Sequence, residues 1–223
     1  DLVRSRGLGD VYKRQWLKGV VMKAHYNGLI PRNPFIQFHI SPNVKEREYL
    51  TEDELKAVMT HEFADSKLAY IRDIFIFASF TALSFVDIQE LTNDNIVEVN
   101  GEKWILSKRH KTKVAFQVKL LDIPLQIVER YRPMQKDNRI FPGLNYWSIC
   151  KPLKRMIREC GITKSISFHC SRHGFATLAL SKGMPIESVS RVLGHTNIVT
   201  TQLYAKITTQ LSLIHISEPT RPY

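Results

Sequence analysis

The chain has 223 residues, with 43% apolar side chains and a net charge of +11. That is enough length and apolar content for one well-packed domain and part of a second, and the charge points to a polyanionic partner, most often nucleic acid. Three cysteines without a CxxC pair (Cys150, Cys160 and Cys170) argue against a disulfide scaffold or a zinc site and fit free thiols in a reducing cytoplasm. No run approaches 18 apolar residues, so no membrane span is expected.

The two ends lack helical or strand periodicity and are related to each other. "VRSRGLGDVYKRQ" (3–15) read forward and "LSLIHISEPTRPY" (211–223) read backward can be encoded by complementary codons at all thirteen positions, from Gln15 with Leu211 to Val3 with Tyr223. One short DNA sequence in inverted orientation explains this, and it resembles a sequencing-library transposase adapter. Residues 1–15 and 211–223 are therefore read as adapter-like, non-native ends. Residues 16–210 keep 27 basic against 18 acidic residues, so the basic signal survives.

In chain order, "WLKGVVMKAHYNGLIPRNPF" reads as a helix ending near Asn27-Gly28. Residues 16–46 are expected to be a remnant of a helical DNA-binding domain with a polar linker. At "LTEDELKAV", Thr51 and Glu54 form a capping box that opens a new domain, expected over 47–210. "SKLAYIRDIFIFASFTAL" is apolar enough for a buried helix, and "FVDIQEL" follows as a short one. From 96 to 120 the pattern turns to strands. Asn100-Gly101 marks one hairpin and "RHKT" a second turn, predicting a small three-stranded antiparallel sheet. Helical patterns resume at "PLQIVERYR", "NYWSICKPLKRMIREC", "SFHCSRHGFATLALSKG" (with Ser167 as its expected cap), "PIESVSRVLG" and "TTQLYAKIT". The fold class is thus α+β, mainly helical.

Four residues form a chemical set. His169 and Arg172 lie at i and i+3 on one helix, His195 follows a glycine stop, and Tyr204 lies nine residues on. Singly, each has a bland reading as a surface cation, a loop histidine or core filler. Together they supply a planar fork for phosphate oxygens, two groups that exchange protons near neutral pH, and a hydroxyl that becomes nucleophilic beside such neighbours. Such a set can hold a phosphodiester and attack it without metal.

"FHCSRHGFAT…LGHTNIVTTQLYA" resembles the signature of the tyrosine recombinases, or phage-type integrases: H-x-x-R, then L-G-H, then a tyrosine. The resemblance extends over about 16–208. It implies that Tyr204 is the nucleophile, forming a 3′-phosphotyrosyl bond to double-stranded DNA. Arg172 would clamp the scissile phosphate, His169 would serve as acid/base and His195 would hydrogen-bond the phosphate. It places a lysine, the acid for the departing 5′-oxygen, in the turn between the second and third strands, where Lys111 fits best. Lys108 and Lys113 are then contacts to the DNA backbone. It further implies site-specific recombination or integration in the cytoplasm, with no cofactor, metal, ATP, membrane or small-molecule substrate, and a homotetramer on DNA for a longer parent. The activity of this shorter chain stays open.

One position departs from the pattern. Ser84 stands where the family carries its first arginine, with Asp87 matching the acidic residue that follows. "TALSFVDI" resembles the integrases of conjugative transposons, in which a serine is compatible with activity. Arg109, two residues before Lys111, is a candidate substitute cation if strand alternation turns both to one face. The plainer expectation is that Arg109 grips a neighbouring DNA phosphate. Two other functions stay open at this point: a non-catalytic helix-turn-helix DNA-binding regulator, suggested by "LALSKGMPIESVSRVLGH", and a type IB topoisomerase.

Overall fold

The structure is a computed structural model that describes residues 16–36, 48–110, 113–135 and 137–205. The chain divides into two compact units between Glu46 and Arg47. In the first, helix α1 spans 16–26 and ends at Gly28, whose positive φ of 71° lets the chain turn away.

The second unit opens with α2 (Glu52–Thr60). Its capping box is formed as the sequence predicts: the Thr51 hydroxyl accepts from the Glu54 N–H, and the Glu54 carboxylate accepts from the Thr51 N–H. Helix α3 (Ser66–Thr81) is apolar on nearly every side, so it can only be stable inside other layers. It runs through the centre and packs against helices α5 (Asp122–Tyr131), α6 (Tyr146–Glu159) and α7 (His169–Ser181). Ile71, Ile74, Phe75 and Phe77 are all essentially buried there.

Between α3 and α5 lie the short helix α4 (Phe85–Gln89) and an antiparallel sheet in the order β1 (Ile96–Val99), β2 (Glu102–Lys108), β3 (Ala115–Lys119). Asn100 and Gly101, both with positive φ, make the two-residue turn between β1 and β2. Ile105 opposite Val118, and Phe116 opposite Ser107, form the buried face of the sheet. This mainly helical α+β architecture is the one expected from the sequence. Among the described residues no helix is long and apolar enough to cross a membrane.

The remaining elements are α8 (Ile186–Leu193) and a helix α9, described over 199–205. They close a second, smaller apolar cluster of Ala82, Ala176, Val189, Leu193 and Tyr204. One local expectation fails. Ser167 does not cap α7: its hydroxyl lies 3.3 Å from the Cys170 sulfur, and no side chain caps that helix. The start of α7 is held by Phe168 instead, whose ring packs edge-on against Phe75 and Phe85.

A buried carboxylate ties α3 to α5. Asp73 accepts from Arg72 Nε at 2.8 Å, Arg130 Nη1 at 2.7 Å and the Tyr131 hydroxyl at 2.8 Å. Removing it strands two half-buried or buried donors, a loss of about 3 kcal/mol. Urea denaturation of Asp73→Ala is expected to show that loss at an unchanged m-value. A loss under about 0.5 kcal/mol, the range of ordinary surface changes, means that the network carries no net stability.

Candidate active site

Arg172 is carried on α7, one turn after Phe168 fixes its start. Its guanidinium reaches out of the helix to two backbone carbonyls: Nη1 donates to Ala82 O at 2.8 Å, and Nη2 donates to Leu193 O. The Ala82 carbonyl faces this way because Ala82 ends α3 in the left-handed conformation, φ 55°. A non-glycine residue there costs about 1–2 kcal/mol, which the surrounding structure sustains. Burial, and after it the nearby Arg109 charge, lowers the Arg172 pKa to about 10, so the guanidinium stays charged at neutral pH.

His195 is aimed by the end of α8. Gly194 takes the left-handed conformation that stops the helix, and the His195 N–H bonds back to Ser190 O. The imidazole pKa falls to about 4, through burial first and then the charges of Arg172, Arg109 and His169. His195 is therefore neutral at pH 7, with Nδ1 2.8 Å from the Thr201 hydroxyl.

Tyr204 is 6% exposed, and its ring belongs to the small apolar cluster. It lies 5.3 Å from the ring of His173, which in turn lies 4.7 Å from His169. Its hydroxyl is near enough to Arg172 to act electrostatically on that guanidinium. Ser84, His169 and Arg172 line one open cleft of about 290 Å³, together with Phe85, Val86 and Tyr146.

The position of Ser84 is not empty of structure. Its hydroxyl and backbone N–H join a capping box with Asp87 that starts α4. Asp87 Oδ2 accepts from Ser84 Oγ and from Arg109 Nη1, both at 2.8 Å, while Oδ1 accepts from the His110 N–H. Burial pushes the Asp87 carboxyl up, but these donors outweigh it and hold it below the usual range.

Arg109 departs from the expectation of a DNA-backbone contact, because it is 4% exposed. It sits just past the end of β2 and continues the inward face of Ile105 and Ser107. It pairs with Asp87, donates through Nη2 to Val192 O and lies over the Phe116 ring at 4.1 Å. Gly194 is required here as well as for its φ: a Cβ would stand 2.9 Å from Arg109 Cγ. Arg109 is nevertheless in the site, since its charge bears on both Arg172 and His195.

Lys108 and Lys113 are exposed on the β2–β3 hairpin, and Lys111 lies outside the described residues. The sequence reading missed His173, Thr201 and the clamp made by Asp87. The spacing of His173, four residues after His169, and of Thr201, three before Tyr204, was the available signal.

The model of the phage integrase family matches residues 48–210. The chain belongs to that family. It is 31% identical over 175 residues to the tyrosine recombinase XerA of Pyrococcus horikoshii, covering 72% of this chain and 57% of that one. With the tyrosine recombinase XerC of Chlamydia trachomatis serovar L2 it shares 26% over 211 residues, 88% of this chain and 66% of the relative. The chain thus spans less than two thirds of the length of these recombinases. Among solved structures, the Tn1549 transposon integrase in complex with a circular intermediate DNA shares the integrase fold with a TM-score of 0.72 at 18% identity, covering 84% of this chain and 71% of that one.

The depressed His195 pKa predicts a pH effect on stability. Unfolded, the imidazole takes a proton near pH 6.5; folded, it resists until about pH 4. The unfolded state then binds more protons in that window, so this contribution is complete above pH 6.5 and is lost as pH falls toward 4. Without DNA, the Tm of the wild type should fall more steeply between pH 6.5 and 4 than that of His195→Gln. Parallel curves would show that His195 titrates alike in both states.

Proposed function

We propose that this domain cleaves and rejoins double-stranded DNA at specific sites through a 3′-phosphotyrosyl intermediate, as part of a recombinase or integrase acting in the cytoplasm. The observation that carries the reading is the placement of Arg172, which lines the open cleft with His169 while its charge bears on Tyr204 and His195.

In the proposed step a scissile phosphate enters the cleft and its nonbridging oxygens meet the remaining Arg172 donors and His195. The Tyr204 oxygen attacks phosphorus and passes its proton to His169. The bond from phosphorus to the 5′-oxygen breaks, and Lys111 protonates the departing oxygen. Religation reverses the sequence. Positive groups fixed before the substrate arrives need no reorganisation as charge develops, which is the largest source of rate in such sites.

Arg109 supplies the cation that Ser84 does not, in this reading through its field and not through exposure. Its Nε has no hydrogen-bond partner among the described residues. Lys108 and Lys113 grip the flanking backbone. Residues 47–210 form the catalytic domain, and 16–46 belong to the DNA-clamping domain of a longer parent that acts as a homotetramer on DNA.

Trapping on a nicked suicide DNA substrate tests the reading. Tyr204→Phe should abolish the covalent adduct and leave DNA affinity nearly unchanged; equal adduct yield would make another residue the nucleophile. Arg109→Ala, assayed well below its melting temperature, should slow adduct formation about 10²–10³-fold with a smaller loss of affinity. Adding Ser84→Arg should recover much of that loss, since Asp87 Oδ2 already accepts from both positions. A proportional loss of binding and cleavage in Arg109→Ala reduces Arg109 to a scaffold.

A further inference from the structure

Thr201 sits three residues before Tyr204 on α9, so the two side chains share one helix face. It is fully buried, and its hydroxyl lies 2.8 Å from Nδ1 of His195. A threonine in a helix commonly returns its hydroxyl to the carbonyl four residues back, as Thr81 and Thr177 do in this chain. Thr201 does not: among the described residues, Nδ1 of His195 is the only hydrogen-bond partner of its hydroxyl.

That fixes the direction of the bond. If Nδ1 carried a proton and donated, the Thr201 hydroxyl proton would be buried with no acceptor, the more costly way to leave a polar group unmatched. If Thr201 donates, its proton is satisfied and Nδ1 is an acceptor. His195 is neutral at pH 7, being half-buried first of all and then surrounded by Arg172 and His169 from α7 and Arg109 from the β2–β3 turn. A neutral imidazole has one ring proton, and an acceptor Nδ1 places it on Nε2.

We propose that Thr201 is a positioning residue that locks His195 in the Nε2–H tautomer, making it a donor toward the phosphate, and that it does so only when the helix carrying Tyr204 is docked. The proposal rests on the phosphotyrosyl reading for its consequence, and on the Thr201–His195 geometry alone for its cause. One docking event then brings two functional elements together. When α9 is seated, Tyr204 is in place and His195 is a donor. When α9 is displaced, His195 loses the bond that selects its tautomer at the same moment as the site loses Tyr204. A protomer with its helix displaced is then deficient in two respects.

The test uses the chain with ¹⁵N-labelled histidine, and long-range ¹H–¹⁵N correlation spectra at pH 7 without DNA, His195 being assigned through His195→Gln. The wild type should show a protonated Nε2 and an unprotonated Nδ1. Thr201→Val, similar in shape but with no hydroxyl, should show a mixed or reversed pattern. Thr201→Ser should restore the wild-type pattern. On the suicide substrate, Thr201→Val should form adduct about 10–100-fold more slowly, the usual scale for losing a group that orients a functional histidine, with Thr201→Ser close to wild type and DNA affinity unchanged in both.

A protonated Nδ1 in the wild type overturns the proposal. So does an unchanged tautomer in Thr201→Val, or a changed tautomer with an unchanged adduct rate. Adduct formation by Tyr204→Phe would instead bring down the phosphotyrosyl reading, and the tautomer spectra would still report on Thr201.

Discussion

The Asp87–Arg109 ion pair is the contact on which the geometry of the site depends. Asp87 belongs to α4, Arg109 to the turn after β2, and the other end of the guanidinium holds the Val192 carbonyl near the end of α8. Three elements far apart in sequence are joined through one side chain. Nearby, Arg172 makes a parallel link from α7 to the ends of α3 and α8. Helix ends with unspent carbonyls are natural acceptors for cations, and both arginines use them. The loop carrying His195 begins where these links converge, so its position follows from theirs.

Such a pair is a poor source of stability taken alone. Bringing both charges out of water costs several kcal/mol per ion, which their attraction only offsets when the geometry is good. Its value lies in what surrounds it. Asp87 neutralises one arginine, yet burial, and after it the Arg109 charge, still lowers the Arg172 pKa, and burial together with both arginines holds His195 neutral. The two arginines therefore bring more positive charge into the site than Asp87 alone offsets. An anion in the adjoining cleft relieves that excess, which is the electrostatic condition for binding a phosphate and for stabilising further negative charge on it.

Local signals in the sequence were readable wherever one short segment determines its own shape. The Thr51–Glu54 capping box, the Asn100-Gly101 turn and the Gly194 stop each depend on a few neighbouring residues, and each forms as expected. The set of His169, Arg172, His195 and Tyr204 was legible as a spacing, because the helices between them are short. What was not legible depends on partners distant in sequence. Strand alternation turns Arg109 to the face of Ile105 and Ser107, but the partner that buries it there, Asp87, lies 22 residues earlier. Ser84 read as a missing cation, whereas its hydroxyl starts α4. Ser167 read as a cap, but Phe168 fixes α7 through core rings that no local pattern reveals.

Tyr204 poses the sharpest conflict between packing and chemistry, since a buried tyrosine is usually core filler. Its environment separates the two roles by atom. The ring packs with Ala82, Ala176, Val189 and Leu193, a cluster built from the ends of α3 and α8 and the middle of α7. The hydroxyl end lies in the field of Arg172. The apolar cluster thus holds α9, while the hydroxyl end lies beside a fixed cation. Because α9 also carries Thr201, the same small cluster holds both Tyr204 and the Thr201 hydroxyl that meets His195. In the proposed reaction, the packing that seats α9 is then what a partner protomer or DNA would act on.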